Sequence, residues 1–192
     1  AQEDYPVHLE RIVNLILETD LPAFKDIDYS SVMNLKKLLL AISESVPFKP
    51  NISKLSINTG VTRDTLIKYL SYLEKAQLIL LLRNNTSGIS RMAKPDKIYL
   101  NNANLLYALS PTSVNPGTIR ETFFYNQVSA IHNVALPKSA DFIVDNKYTF
   151  EIGGKNKAKK QIAGIKNAYI VSDNIEYGFK NRIPLWMFGF LY

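Results

Sequence analysis

Asp141–Lys160 reads DFIVDNKYTFEIGGKNKAKK. Two short apolar runs, Phe142–Val144 and Tyr148–Ile152, flank the polar turn Asp145-Asn146-Lys147, which is the pattern of a β-hairpin. Asp141 opens the first run, and Glu151 lies near the end of the second. Lys155, Lys157, Lys159 and Lys160 follow at once. Register decides whether the two carboxylates meet, because side chains alternate across a strand. A two-residue loop, Asn146-Lys147, sets Asp141 opposite Ile152 and turns Glu151 to the other face. A three-residue loop, Asp145-Asn146-Lys147, sets Asp141 opposite Glu151. Like charges that face each other across a ladder repel unless a cation lies between them. The three-residue register therefore predicts a divalent-metal site with Asp141 and Glu151 as oxygen ligands. The plainer alternative is two solvated strand-end carboxylates beside a lysine-rich surface.

Composition bounds the rest. The chain has 192 residues, 46% of them hydrophobic, enough for one large domain or two small ones. It has no cysteine, which excludes a disulfide framework and thiolate metal sites and suits a reducing cytoplasm, the expected location. No apolar run approaches the roughly 18 residues of a membrane span, and there is no signal peptide pattern. His8 and His132 form no metal-ligand spacing. The chain opens AQEDY rather than with Met and is expected to be a piece of a longer protein. The net charge is +6, unevenly spread: residues 1–34 are acidic, whereas 35–116 and 117–192 are basic. A basic body permits nucleic-acid binding.

Taken in order, Leu9, Ile12, Val13, Ile16 and Leu17 follow helical spacing, and that helix should stop near Asp20, ahead of Pro22. A second helix carries Leu35, Leu38, Leu39 and Ile42 and ends before Pro47. Asn51 can cap a short helix with Ile52 and Leu55, Gly60 turns the chain, and Thr62 caps a longer helix with Asp64 in its first turn. Leu66, Leu70 and Leu73 make the buried stripe of that helix, with Arg63, Thr65, Lys68 and Tyr69 off it. A strand at Leu78–Leu82, a polar excursion over 84–94 and a strand at Ile98–Leu100 complete a winged helix-turn-helix across 35–110. Its second helix would enter the major groove, and Arg91 and Lys94 would lie on the wing. Arg63, Thr65, Lys68, Tyr69, Arg91 and Lys94 are the candidate DNA contacts. Arg63 and Lys68 are few charges for tight phosphate binding, and winged helices also serve as protein-docking modules.

Residues 101–116 read as irregular and polar and should contain the boundary to a second domain, 117–192, while 1–34 reads as a helical linker. Thr118-Ile119-Arg120-Glu121 matches a capping box opening a helix that runs to about His132. Glu121 then either partners Thr118 or points toward the hairpin. Beyond the lysines, a short helix ends over Gln161–Gly164, a strand covers Ala168–Val171, and a last helix starts at Pro184 with Leu185, Trp186, Phe188 and Leu191 in the core. The fold class is mixed α/β.

The Asp20-Leu21-Pro22 entry and the stretches NLKKLLLAISESVP, KLSINTGVTRDTLIKYLSYLEKAQLI, GTIRETFF, ADFIV and FEIGGKNKAKKQI resemble the C-terminal half of a family of bacterial and archaeal predicted AAA+ ATPases of unknown function. The resemblance runs along most of the chain. It implies a P-loop ATPase domain ahead of a winged helix and a restriction-endonuclease-like domain. No G-x-x-x-x-G-K-[ST] occurs here, so ATP is expected only on an N-terminal domain absent from this chain. The endonuclease-like fold implies a helix glutamate, a strand aspartate and a Glu-x-Lys. Glu121, Asp141 and Glu151 fill the first three positions, but Gly153 stands where the lysine belongs. Lys155 would have to reach back around a bend that Gly153-Gly154 permits, and is expected to sit away from the ion. In such nucleases the carboxylates hold Mg²⁺ and the lysine positions water or stabilises charge. The expected function is therefore a DNA-binding and regulatory region of an AAA+ ATPase, non-catalytic by itself. DNA, its own ATPase domain and further copies are the expected partners, with no membrane. A Mg²⁺-dependent nuclease and a protein-docking module are the alternatives.

Overall fold

The computed structural model describes all residues except 1–3, 26, 48, 85–93, 111–113, 159 and 192, together with the side chains of Phe24 and Lys25. The chain forms two compact units, Ala1–Leu81 with Ile89–Val114, and Leu82–Gly88 with Asn115–Tyr192. Residues 1–34 thus fold within the same unit as the helices that follow them.

In the first unit, α1 (Tyr5–Leu15) leads through a π-helical turn, Ile16–Asp20, into α2 (Leu21–Lys25). The expected stop at Asp20 is overturned. The Leu21 N–H bonds to the carbonyl of Ile16, five residues back. This wider turn accommodates Pro22, whose ring would otherwise meet the carbonyl four residues back in a regular helix. Val13, Leu17 and Leu21 are buried along one face. α1 packs on the later helix α6 (Ala103–Leu109), and the π turn packs on α3 (Tyr29–Ser43).

Side-chain caps set the helix starts. Asp28 accepts from Ser31 N at 2.9 Å and opens α3, which buries Val32, Leu35, Leu38, Leu39 and Ile42. Asn51 accepts from Lys54 N at 3.0 Å and opens α4 (Ile52–Thr59), which Gly60 closes with φ 72°. Thr62 opens α5 (Arg63–Lys75), burying Leu66, Leu70 and Leu73 as the spacing predicts. Tyr69 joins them at 5% exposure, so its expected place off the stripe is corrected. It lies three residues after Leu66 and four before Leu73, on the same helical face. β1 (Ile79–Leu82) and β2 (Lys97–Leu100) form a two-stranded sheet. The stretch expected to be irregular contains α6, capped by Asn102 through Asn104 N at 2.8 Å, with Leu105 and Leu106 buried.

The second unit sets α7 (Pro116–Ser129) against a five-stranded sheet. Its strands are β3 (Val134–Ala135), β4 (Phe142–Val144), β5 (Tyr148–Gly153), β6 (Ala168–Ser172) and β7 (Arg182–Pro184), in that order across the sheet. β3–β4–β5 run antiparallel and β5–β6–β7 parallel, so the class is mixed α/β. β3 and β7 are too short to leave a periodic signal in the sequence. Short 3₁₀ segments cover Lys160–Ile162 and Leu185–Phe190. The latter replaces the expected last helix and leaves Trp186 52% exposed rather than in the core. Among the described residues no helix is long and apolar enough to cross a membrane.

The core of this unit is aromatic. Phe124 on α7 is fully buried, with ring centroids 5.2 Å from Phe142, 5.1 Å from Phe150 and 4.8 Å from Phe188. One ring thereby ties the helix to both hairpin strands and to the final 3₁₀ segment. Phe124→Ala should lower the unfolding free energy of the second unit by about 3–5 kcal/mol, checked by urea titration followed through the near-UV signal. A loss under about 1 kcal/mol would mean that the cluster is not the anchor.

Candidate functional site

The hairpin turn decides the geometry. Asp145 and Asn146 take φ 51° and 56°, the two positive angles of a type I′ turn, and the Lys147 N–H returns to the Val144 carbonyl at 3.0 Å. Val144 pairs with Tyr148, Ile143 with Thr149 and Phe142 with Phe150. This is the register of the three-residue loop, with Asp141 just before the last pair and Glu151 just after it. The Asp145 side chain braces the turn by accepting from Asn133 N at 3.0 Å and contacting His132 Nδ1 at 2.8 Å.

Asp141 enters from Ala140, an alanine at φ 73°. Left-handed backbone costs a residue with a Cβ roughly 1–2 kcal/mol, so this corner is held by its surroundings, and Ala140 packs on Ile162, Ala168 and Ile170. The Asp141 N–H donates to the Phe150 carbonyl at 3.1 Å, and its Oδ2 accepts from Ile152 N at 2.8 Å. The carboxylate is thus tied to the edge of β5 beside Glu151.

Glu151 sits mid-sheet, paired in register with Ile170, and is 0% exposed. Its environment is apolar on the Ile170 side, and burial pushes its carboxyl above the ordinary value. Lys157 opposes that shift, while Asp141 and Glu121 add to it. Lys157 Nζ lies 2.5 Å from Glu151 Oε1. The ammonium partners that oxygen, whereas Oε2 has no hydrogen-bond partner among the described residues. Burial pulls Lys157 down, but Glu151, Asp141 and Glu121 together outweigh it and hold its ammonium above the ordinary value.

Lys157 is the residue that sequence reasoning missed. Its stem runs over Gly153: a Cβ there would come within 2.5–2.7 Å of Lys157 Cδ, Cγ and Cβ. A turn delivers it, with Lys157 N donating to the Gly154 carbonyl at 3.0 Å. Arg182, from β7, pins that turn by donating to the carbonyls of Lys155 at 3.1 Å and Lys157 at 2.7 Å, and to Ser172 Oγ. Lys155 is exposed and contributes its carbonyl to the clamp, not its ammonium to the carboxylates. The Gly153-Gly154 pair was the available signal for a close approach. Nothing in the sequence pointed to Arg182.

Glu121 lies on α7, which starts earlier than expected. Asn115 is the cap, accepting from Gly117 N at 2.7 Å, and Pro116 takes the first helical position. Thr118 is buried inside the helix, so the capping box is overturned and Glu121 falls in the second turn. Its charge reaches both Glu151 and Lys157. Next to it, Arg120 pairs with Asp173 at 3.0 Å and stands over Gly154.

The candidate DNA contacts divide. Arg63 and Lys68 are exposed on α5, Lys68 lying 5.6 Å above the Tyr72 ring. Thr65 is half-buried and bonded to Thr62. Tyr69 is core. Lys94 is exposed, and Arg91 lies outside the described residues. A cleft of about 400 Å³ at the α3–α4 junction, lined by Glu44, Lys49, Asn51 and Lys54 among others, involves none of the expected site residues.

Residues 1–115 match a family described as a domain of unknown function, DUF8612. The chain belongs to this family. The DUF8612 match ends beside the Val114/Asn115 division between the two units, so Glu121, Asp141, Glu151 and Lys157 all lie beyond it. No curated protein and no solved structure matches the chain.

Asp145 offers a pH test of the hairpin. The Asn133 N–H, and then His132, lower its carboxyl below the ordinary value of 3.8. A depressed folded value means that the stabilisation is present above about pH 3.8 and fades as the pH falls through the lower folded value. Asp145→Asn keeps a residue that tolerates positive φ but removes the charge. Its stability curve should lie below wild type above pH 5 and converge with it below pH 3 in thermal melts (roughly one unit either side of the ordinary value). Parallel curves would remove the assignment.

Proposed function

We propose that the second unit is a Mg²⁺-dependent phosphodiester hydrolase of the restriction-endonuclease-like class, and that the first unit, a winged helix-turn-helix, brings it DNA. The observation that carries the proposal is the hairpin register: it brings Asp141 to Glu151, whose Oε1 meets the Lys157 ammonium and whose Oε2 is buried without a hydrogen-bond partner among the described residues. A buried carboxylate oxygen left without a partner leaves room for a water or an ion beside it. Mg²⁺ is commonly held by one or two carboxylates, with water and substrate phosphate completing its shell. Two ligands therefore suffice, and no cluster of three or more His, Cys, Asp or Glu is found among the described residues. Bound there, the ion would supply Lewis-acid polarisation of a phosphoryl oxygen and a more acidic water. The chain's own residues do the rest. Ile152 N orients Asp141, burial gives Glu151 a low-dielectric grip on charge, and Glu121 adds negative potential.

Full burial of Glu151 under Lys157 favours a second reading, a non-catalytic DNA-binding and regulatory region closed by its own ion pair. Both readings carry the chain as part of an oligomeric AAA+ ATPase, which the family resemblance supports, in the cytoplasm, which the absence of cysteine suits. A cleavage assay separates them. Purified chain should nick labelled duplex DNA with Mg²⁺ or Mn²⁺ and not with EDTA, and Asp141→Ala and Glu151→Ala should each reduce the rate by about 10²-fold or more. Activity that survives both substitutions would belong to a contaminant, and none in wild type would leave the regulatory reading.

DNA binding by the first unit should be weak and largely independent of sequence, since Arg63 and Lys68 are the cations exposed on α5 near its start. Each phosphate contact contributes roughly −0.9 to the slope of log K against log salt. Reversing Arg63 and Lys68 to glutamate should weaken binding and flatten that slope by about two contacts, read by fluorescence anisotropy. Unchanged binding would move the interface off α5.

A further inference from the structure

We propose that the sheet edge at which β5, β6 and β7 begin binds single-stranded nucleic acid, its bases stacked on Tyr148 and Tyr169 and its phosphates held by Lys147, Lys166 and Lys180. The inference goes beyond the hydrolase reading and does not depend on it, because Tyr148 lies on the opposite face of β5 from Glu151. Its first support is topology. The three strands run parallel and in register, so their starts share one edge. Thr149 N donates to the Asn167 carbonyl at 3.0 Å and Ile170 N to the Asn181 carbonyl at 2.9 Å, which ties the loops ahead of β6 and β7 to that edge. Lys147 directly precedes β5, Lys166 lies just ahead of β6 and Lys180 just ahead of β7, and all three are exposed. Of the nearby acids, Asp145 is engaged by His132 and Asp173 by Arg120, and Glu176 is exposed.

The rings give the second support. Tyr148 and Tyr169, on neighbouring strands, have centroids 6.3 Å apart, and both are half-buried. Phe150, 5.7 Å from Tyr169, is buried against Phe124. One aromatic row therefore runs out of the core and ends at the surface. The third support is the placing of Lys147. Its Nζ lies 4.8 Å from the centre of the Tyr148 ring, and contact with Tyr148, then Tyr169, raises its ammonium above the ordinary value. A cation thus stands beside the rings at the edge where the other two lysines lie. Aromatic faces beside a positive track are the sequence-tolerant means of holding a single strand, whose bases offer open π faces. In a duplex those faces are already stacked on one another.

The test uses the whole chain carrying Arg63→Glu and Lys68→Glu, which removes the cations of α5, and works in EDTA so that no metal contributes. Labelled oligo(dT) of about 15 nucleotides, followed by fluorescence anisotropy, should bind more tightly than a duplex of the same length. Tyr169→Leu keeps apolar cover but removes the stacking face, and should weaken binding roughly 5- to 100-fold. Tyr169→Phe should bind as its parent does. Lys147→Gln combined with Lys180→Gln should flatten the slope of log K against log salt by about 1.4, at about 0.7 for each single-strand contact. No binding of the single strand, equal binding of the duplex, or a Tyr169→Leu chain that binds as tightly as Tyr169→Phe overturns the inference. Displacement of oligo(dT) by polyglutamate of equal charge also overturns it and assigns the edge to an acidic protein segment. Each of these results leaves cleavage at Asp141 and Glu151 to be judged by its own assay.

Discussion

A carboxylate with no exposed surface, in the middle of a five-stranded sheet, constrains everything around it. Removing a carboxylate from water costs several kcal/mol even after relaxation, and a lysine partner recovers that only with good geometry and further hydrogen bonds. Glu151 has the partner without the further bonds. Apolar residues of similar volume would serve the sheet as well or better, so the pair is weak evidence of stability and stronger evidence of a site. The neighbouring features follow from it. Position 153 must lack a side chain, the chain must turn at Gly154, and an arginine from β7 must hold the turn so that the lysine arrives.

Much of this was legible because short-range chemistry set it. Asn51, Thr62 and Gly60 announce helix ends by side-chain caps and a left-handed turn. The Leu66, Leu70, Leu73 stripe needs only the helical period. The hairpin itself follows from three polar residues between two apolar runs, but the sequence leaves a two-residue and a three-residue loop open, and the pairing Val144–Tyr148 decides between them. Each of these signals lies within a few residues of the feature it determines.

The misreadings share the opposite property. Pro22 is a reliable stop in a regular helix, but a π turn supported by burial of Leu17 and Leu21 carries the chain past it. Thr118 and Glu121 have capping-box spacing, yet Asn115-Pro116 is a better start and tertiary packing buries Thr118. Tyr69 was placed off the Leu66, Leu70, Leu73 stripe, whereas its ring obeys the same period as the leucines. β7 and Arg182 had no signal, since a three-residue strand becomes a strand only when β6 is there to pair with it. Lys157 fell between the two classes: the glycines beside it were visible, but which of the following lysines would fold back depends on a clamp from 25 residues further along.

Lysine is the residue best suited to such a displacement. What Glu151 meets is the ammonium, a compact charge on a four-carbon stem, and the origin of that stem is of secondary importance. A carboxylate ligand has no comparable freedom, because one or two methylenes separate its oxygens from the backbone. Asp141 and Glu151 therefore meet only in one strand register, while the ammonium can enter from a turn, provided that the strand position beneath its stem is left empty and the turn is fixed. Both provisions are present in Gly153 and Arg182. Position 153, read from the sequence as the place of a missing lysine, is the space through which the Lys157 stem passes on its way to Glu151.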